Sequence, residues 1–315
     1  MNPFDLPSDH FEARKMILIE SSSAAMQSCV KYINERYERR TLLQDAIKFC
    51  SHELTEAPCG DINSLSKVGF FPWVEASQEL DQSLSLILKS NIKNAYDSYR
   101  RAIELVITGA FFVSDNTDPS KARAWIQSDR STPNFQRACK DLVKSNYFES
   151  LNNKYDWLND VLSVYWKFCN VVHVQGIDNS FKEISPIYSF INGIGVPAFT
   201  EKSCKTALDD YILTVSYIAV IVAASNPFLL QGFDLDKKFG INPPVSGFFY
   251  PDQAERLMEL IPKKYKPHFK ELLEIDENIV GVRSWFESLP DITEEELYEQ
   301  MRQFNNDAGI YPHGS

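Results

Sequence analysis

The sequence predicts an all-α protein, and three observations carry that prediction. Glycine is scarce, 12 in 315 residues or about 4% against the ~7% of an average chain, which suits long helices better than folds built on tight turns. Apolar residues recur every three or four positions over several long stretches, the period of a helix buried along one face. Proline and glycine gather mainly between those stretches.

Taken in order, residues from Ser8 to about Leu54 contain no interior proline or glycine. They predict one long helix, or two with a break near Arg40, with Ser8 and Asp9 as the cap. Residues 56–73, EAPCGDINSLSKVGFFPW, collect turn formers and read as a connection. A second helix is expected from about Val74 to Val113, where Leu84, Leu88, Ile92, Ala95, Tyr99, Ala102, Val106 and Ala110 step by threes and fours. After DNTDPSK comes a short helix over 119–128, and Ser131-Thr132-Pro133 should start another carrying Phe135, Ala138, Leu142 and Val143. The most regular stripe is Leu151, Tyr155, Leu158, Leu162, Tyr165, Cys169 and Val172, read as one core helix that stops at Gly176. Residues 176–203 are turn-rich. The next helix carries Leu208, Ile212, Val215, Ala219 and Val222 and ends at Asn226-Pro227. An extended aromatic loop follows, then helical stretches near 252–261, 266–275 and 293–304. A boundary near residue 226 therefore divides a helical bundle, residues 1–225, from a smaller acidic, α-rich region, 226–315.

Charge is uneven. The net charge is −11, and residues 251–315 hold 14 acids against 7 bases, so that region carries −7 and the first 250 residues −4. Residues 119–144 run the other way: Lys121, Arg123, Arg130, Arg137, Lys140 and Lys144 stand against Asp129 and Asp141. That local excess reads either as a solvated face or as a surface for phosphates. Cys29, Cys50, Cys59, Cys139, Cys169 and Cys204 show no CxxC spacing and read as reduced core thiols. The N-terminus lacks the basic-then-apolar order of a secretory signal, and a cytoplasmic location is expected. The apolar run from Tyr211 to Ala224 is about fourteen residues, short of the ~18–20 that cross a bilayer, so a buried helix is expected and no membrane partner.

The strong catalytic and phosphate-loop motifs are absent, as is any Cys/His spacing for zinc, so neither metal nor cofactor is expected. Gly193-Ile194-Gly195 imitates a dinucleotide loop, but Pro197 interrupts it. What remains is polar residues on apolar helices. His173 falls at the edge of the apolar stripe of its helix, with Asn170 three residues earlier and Lys167 one turn further back. On the other core helix, Arg100, Arg101 and Glu104 sit amid apolar neighbours, and buried charges require partners. If the two helices pack together, Arg100 or Arg101, Glu104, Asn170 and His173 form one polar cluster. Aromatic Phe70, Phe71, Trp73, Phe248, Phe249 and Tyr250 read as core or as groups that stack on bases or dock a partner.

The helix SNIKNAYDSYRRAIELVITGAFF, a segment containing Trp125, and a helix ending VYWKFCNVVHVQG together resemble bacterial proteins of the HEPN (higher eukaryotes and prokaryotes nucleotide-binding) type over roughly residues 75–225. The resemblance implies a HEPN-like bundle and a metal-independent ribonuclease or nucleotide-binding protein of a bacterial toxin or antiphage-defence type, working as a homodimer. It implies His173 as the catalytic histidine, Asn170 as the polar residue inside the motif, and Arg100 or Arg101 with Lys167 as the phosphate holders. Lys167 stands where the family carries arginine, and lysine lacks the bidentate fork that suits phosphate. The other reading is a non-catalytic module whose polar cluster is structural and whose acidic C-terminal region docks a protein partner.

Overall fold

The computed structural model describes residues 9–57, 70–114, 117–172, 188–191, 194–241 and 245–307. The described chain is all-α apart from one short antiparallel hairpin. The N-terminal helices are α1 (His10–Glu35), capped by the Asp9 carboxylate, and α2 (Arg40–Lys48), which continues through a π-helical turn, Phe49–Glu53, into α3 (Leu54–Glu56). Next come α4 (Phe70–Leu88), α5 (Ile92–Val113), α6 (Pro119–Ile126), α7 (Phe135–Leu142), α8 (Asn146–Tyr155) and α9 (Trp157–Val172). The hairpin pairs β1 (Tyr188–Ile191) with β2 (Ile194–Pro197), with Ile191 opposite Ile194. Helix α10 (Glu201–Ser225) leads through a 3₁₀ turn, Pro227–Gln231, to α11 (Leu235–Phe239), α12 (Pro251–Leu260), α13 (Lys266–Ile275), α14 (Glu277–Ser288) and α15 (Glu294–Asp307).

Helices α5 and α10 form the centre. Each is buried on most of its circumference, 14 of 22 residues in α5 and 17 of 25 in α10, so they pack on neighbours all round rather than along one stripe. Helix α5 lies against α4, α9, α7 and α10. An aromatic knot of Tyr96, Tyr99, Phe168 and Tyr211 joins α5, α9 and α10, with Tyr96 and Phe168 edge to face at 5.7 Å. Helix α10 is also the described helix long and apolar enough to cross a bilayer, and 83% of its most apolar window is buried inside the fold.

Residues on both sides of position 226 share one core. Leu257, Leu260, Ile261, Tyr265 and Phe269 belong to the same buried cluster as Leu80, Val106 and Val215. A second, small cluster gathers Phe233, Leu235 and Phe286. The interval 231–253, expected to be extended, contains α11, and helix α14 lies between two of the expected C-terminal helices.

Two expected helices are each broken in two. The stretch from Val74 to Val113 breaks at Lys89–Asn91, where Ser90 takes a left-handed φ of 56°. The Asn91 amide bonds the Leu86 carbonyl and the Ser90 amide bonds the Ile87 carbonyl, the double bond of a Schellman C-cap with serine in the usual glycine position. The stretch from Leu151 to Val172 breaks at Asp156, also left-handed at φ 55°. That break shifts the helical phase, so the buried face of α9 runs through Trp157, Val161, Val164, Tyr165, Phe168 and Cys169; Tyr165 and Cys169 of the expected stripe are buried, while Leu158 and Leu162 are only half-buried at its edge. Helix α7 begins after an Asn134 cap rather than at Pro133. Because a β-carbon is disfavoured at left-handed φ, Ser90→Gly should raise stability by about 0.5–1 kcal/mol after the extra chain entropy of glycine is offset. Urea unfolding of the two proteins checks this; a loss of stability would show that the serine side chain is needed there.

Candidate functional site

The polar residues singled out from the sequence are distributed over three pairings, two of which share Asp97. Helices α5 and α9 do pack together, and Arg100 and Glu104 lie at their contact. There the Tyr165 hydroxyl donates to the Glu104 carboxylate, and Tyr165 stacks on Phe135 of α7 with ring centroids 4.0 Å apart. Burial, then the hydrogen bond to Glu104 and its charge, drives the Tyr165 phenol far above its ordinary range. Arg100 pairs with Asp97 at 3.3 Å and also meets the Cys169 sulfur. Burial pushes the Cys169 thiol up, and the Tyr165 hydroxyl and Arg100 oppose it. Arg100, Glu104, Tyr165 and Cys169 thus form one knot.

Arg101 faces elsewhere. Its guanidinium holds Glu79 of α4 through two bonds of 2.8 and 2.9 Å and also bonds Asp97, fastening α5 to α4. Of the two arginines, Arg100 is the one that lies on the α9 side.

Lys167 forms the third pairing. Its ammonium sits 2.7 Å from Asp210 on α10, and the Tyr96 hydroxyl donates to the other oxygen of that carboxylate at 2.6 Å. The Asp210 side chain is 6% exposed and that of Lys167 37%. The carboxylate is consequently dry and satisfied on both oxygens, while the lysine reaches water along part of its length.

Asn170 is exposed on the outer face of α9 and does not join Arg100 and Glu104. His173 lies outside the described residues. Tyr165, Cys169, Asp97, Glu79, Tyr96 and Asp210 complete the pairings and were not expected as polar partners. Asp210 carried a signal, since it is an acid directly before the apolar run of α10; Tyr96 and Tyr165 read as ordinary core positions.

A further buried ion pair joins the N- and C-terminal halves. Glu53, 1% exposed in the π-helical turn, lies 2.9 Å from Arg256 of α12, which also reaches Asp252 at 3.1 Å. Among the described residues neither Glu53 oxygen has a hydrogen-bond partner, so the contact is a bare charge pair. Burial pushes the Glu53 carboxyl up to about 7, and the Arg256 charge only partly opposes it.

Of the aromatic candidates, Trp73 is buried with its indole N–H on the Val106 carbonyl at 2.9 Å, and Phe249 is fully buried. Phe248 and Tyr250 pack on the small C-terminal cluster, and Phe71 stays exposed. Among the described residues no three His, Cys, Asp or Glu gather as a metal-binding group. A small apolar pocket of about 210 Å³ opens between α1, α2 and α4, lined by Ile33, Leu43, Ile47, Leu84 and Leu88 with Arg40 among its polar members. Comparison of the chain with family models, with curated proteins and with solved structures finds no match.

Proposed function

We propose that the protein is a HEPN-like helical bundle acting as a non-catalytic interaction module, its polar cluster serving the fold and its acidic C-terminal region serving a protein partner. The observation that carries this reading is the Lys167–Asp210–Tyr96 triad. At the position where a ribonuclease of the HEPN type presents a cation to phosphate, the charge here is spent on a buried carboxylate. A phosphate would have to compete with a desolvated ion pair for that ammonium. Arg100 and Arg101 are likewise engaged by Asp97, Glu79 and the α9 knot.

The surface favours a protein partner. In the region that carries −7, Ile275, Trp285, Tyr298 and Met301 are each more than half exposed, beside Glu294, Glu295 and Glu296 in the first turn of α15. Large apolar groups set among acids suit a partner with basic and apolar residues.

The test sets this reading against the ribonuclease reading directly. The purified chain and His173→Ala are incubated with total RNA in EDTA. Intact RNA in both, with equal urea midpoints, is the expected result. Fragments made by the parent and lost in His173→Ala would overturn the reading and establish His173 as the acid–base of a metal-independent nuclease.

A further inference from the structure

The seam between α1 and the first turns of α10 holds two sulfurs in contact. Cys29 Sγ and Cys204 Sγ lie 3.1 Å apart although 175 residues separate them in the chain. Both are free thiols, 0% and 2% exposed. Carbon atoms in a core approach to about 3.5–4.0 Å, so this is closer than ordinary apolar contact. The register around the pair is held on both sides. Arg36 meets Glu201 at 2.6 Å, the Tyr37 hydroxyl donates to Asp209 at 2.9 Å, and Tyr32 packs on Phe199. Among the described residues no other two cysteine sulfurs touch.

We propose that Cys29 and Cys204 are an oxidative modification site, joined as a disulfide by an oxidant of the peroxide class so that α1 becomes covalently fastened to α10. The Cys29 sulfur attacks one peroxide oxygen and the O–O bond breaks. Hydroxide leaves and takes the thiol proton as water, leaving Cys29 as a sulfenic acid. The Cys204 sulfur then attacks Cys29 sulfur, the S–S bond forms, the S–O bond breaks, and the departing hydroxide takes the Cys204 proton as a second water. Two electrons pass from the sulfurs to the peroxide, and two thiols with one peroxide give one disulfide and two waters.

Either thiol can donate to the other across this contact, and the sulfur that accepts is eased toward thiolate and attacks first; Cys29 takes that role here, its pKa lowered by the Cys204 thiol against the effect of burial. The lid over the pair is α1, and only Ile17, Ala25, Cys29 and Tyr32 of its 26 residues are buried. A helix held by so few contacts opens locally at lower cost than α5 or α10, which admits a small oxidant. Once closed, the cross-link spans a long loop and removes entropy chiefly from the unfolded chain.

The experiment removes access as a variable. The full chain is refolded from urea in a glutathione redox mixture, and separately treated folded with hydrogen peroxide; free thiols are then alkylated in denaturant and the digest analysed by mass spectrometry. The expected product is a linked pair of peptides containing Cys29 and Cys204, with two of the six thiols lost, a higher urea midpoint, and reversal of both by dithiothreitol. Cys204→Ser should abolish the linked pair while Cys29 takes up glutathione. Complete alkylation of Cys29 and Cys204 after refolding in oxidised glutathione would overturn the assignment, as would a link from Cys29 to any other cysteine.

Discussion

Lys167→Met will destabilise the fold by about 3–5 kcal/mol, and Asp210→Asn by only about 1–3 kcal/mol, although the two residues form one ion pair. The asymmetry follows from exposure. Removing the lysine strands a carboxylate that is 6% exposed, with only the Tyr96 hydroxyl to stabilise it. Removing the carboxylate leaves an ammonium that is 37% exposed and can turn to water. The double variant should cost less than the sum of the two, because it no longer contains a stranded charge. Urea unfolding with linear extrapolation measures all three. Losses under about 1 kcal/mol for Lys167→Met would mean that the lysine is free in solution, and the cation would again be open to phosphate.

Between about pH 4.5 and pH 7, the stability of the parent chain relative to Glu53→Gln should fall by about 3 kcal/mol, at up to ~1.4 kcal/mol per pH unit. Burial raises the Glu53 carboxyl from its ordinary 4.5 to about 7 in the folded chain. In that window the folded state keeps a proton that the unfolded chain releases. This contribution is therefore fully present below pH 4.5 and lost as pH rises through 7. Comparing the parent with Glu53→Gln cancels other titrations, including that of His268 in α13, whose pKa burial lowers and which weakens the fold in the opposite direction, as pH falls below the histidine's unfolded pKa. A parent-minus-variant difference that stays level across the window would show that Glu53 remains ionised beside Arg256.

Helix identity was legible because burial imposes a period on the sequence, and the period survived in α5, α9 and α10. The breaks were not, since Ser90 and Asp156 occupy left-handed positions without the glycine that normally announces them. The pattern across Tyr155 and Leu158 continued through the break at Asp156 and hid a change of helical phase. That change places Leu158 and Leu162 at the edge and Phe168 at the centre. Arg100 and Glu104 were recognisable as charges in an apolar setting. Their partners were not, because Tyr165 and Asp210 lie 61 positions from Glu104 and 43 from Lys167, and no local rule reaches that far. Glu53 escaped for a related reason: its burial depends on Arg256, more than two hundred residues downstream.

The short link Lys89–Asn91 between α4 and α5 has a kinetic consequence. Closing so small a loop costs little chain entropy, so these two helices are expected to dock as a hairpin early in folding. Helix α10 meets the same surface across much longer intervals, 108 residues from Tyr99 to Ala207 and 114 from Tyr96 to Asp210. It is therefore a late arrival, inserted into a groove already lined by the tyrosines of α5. The last substantial barrier expected on the way to the native state is then the desolvation of the Asp210 carboxylate, with the Tyr96 hydroxyl that donates to it in place beforehand.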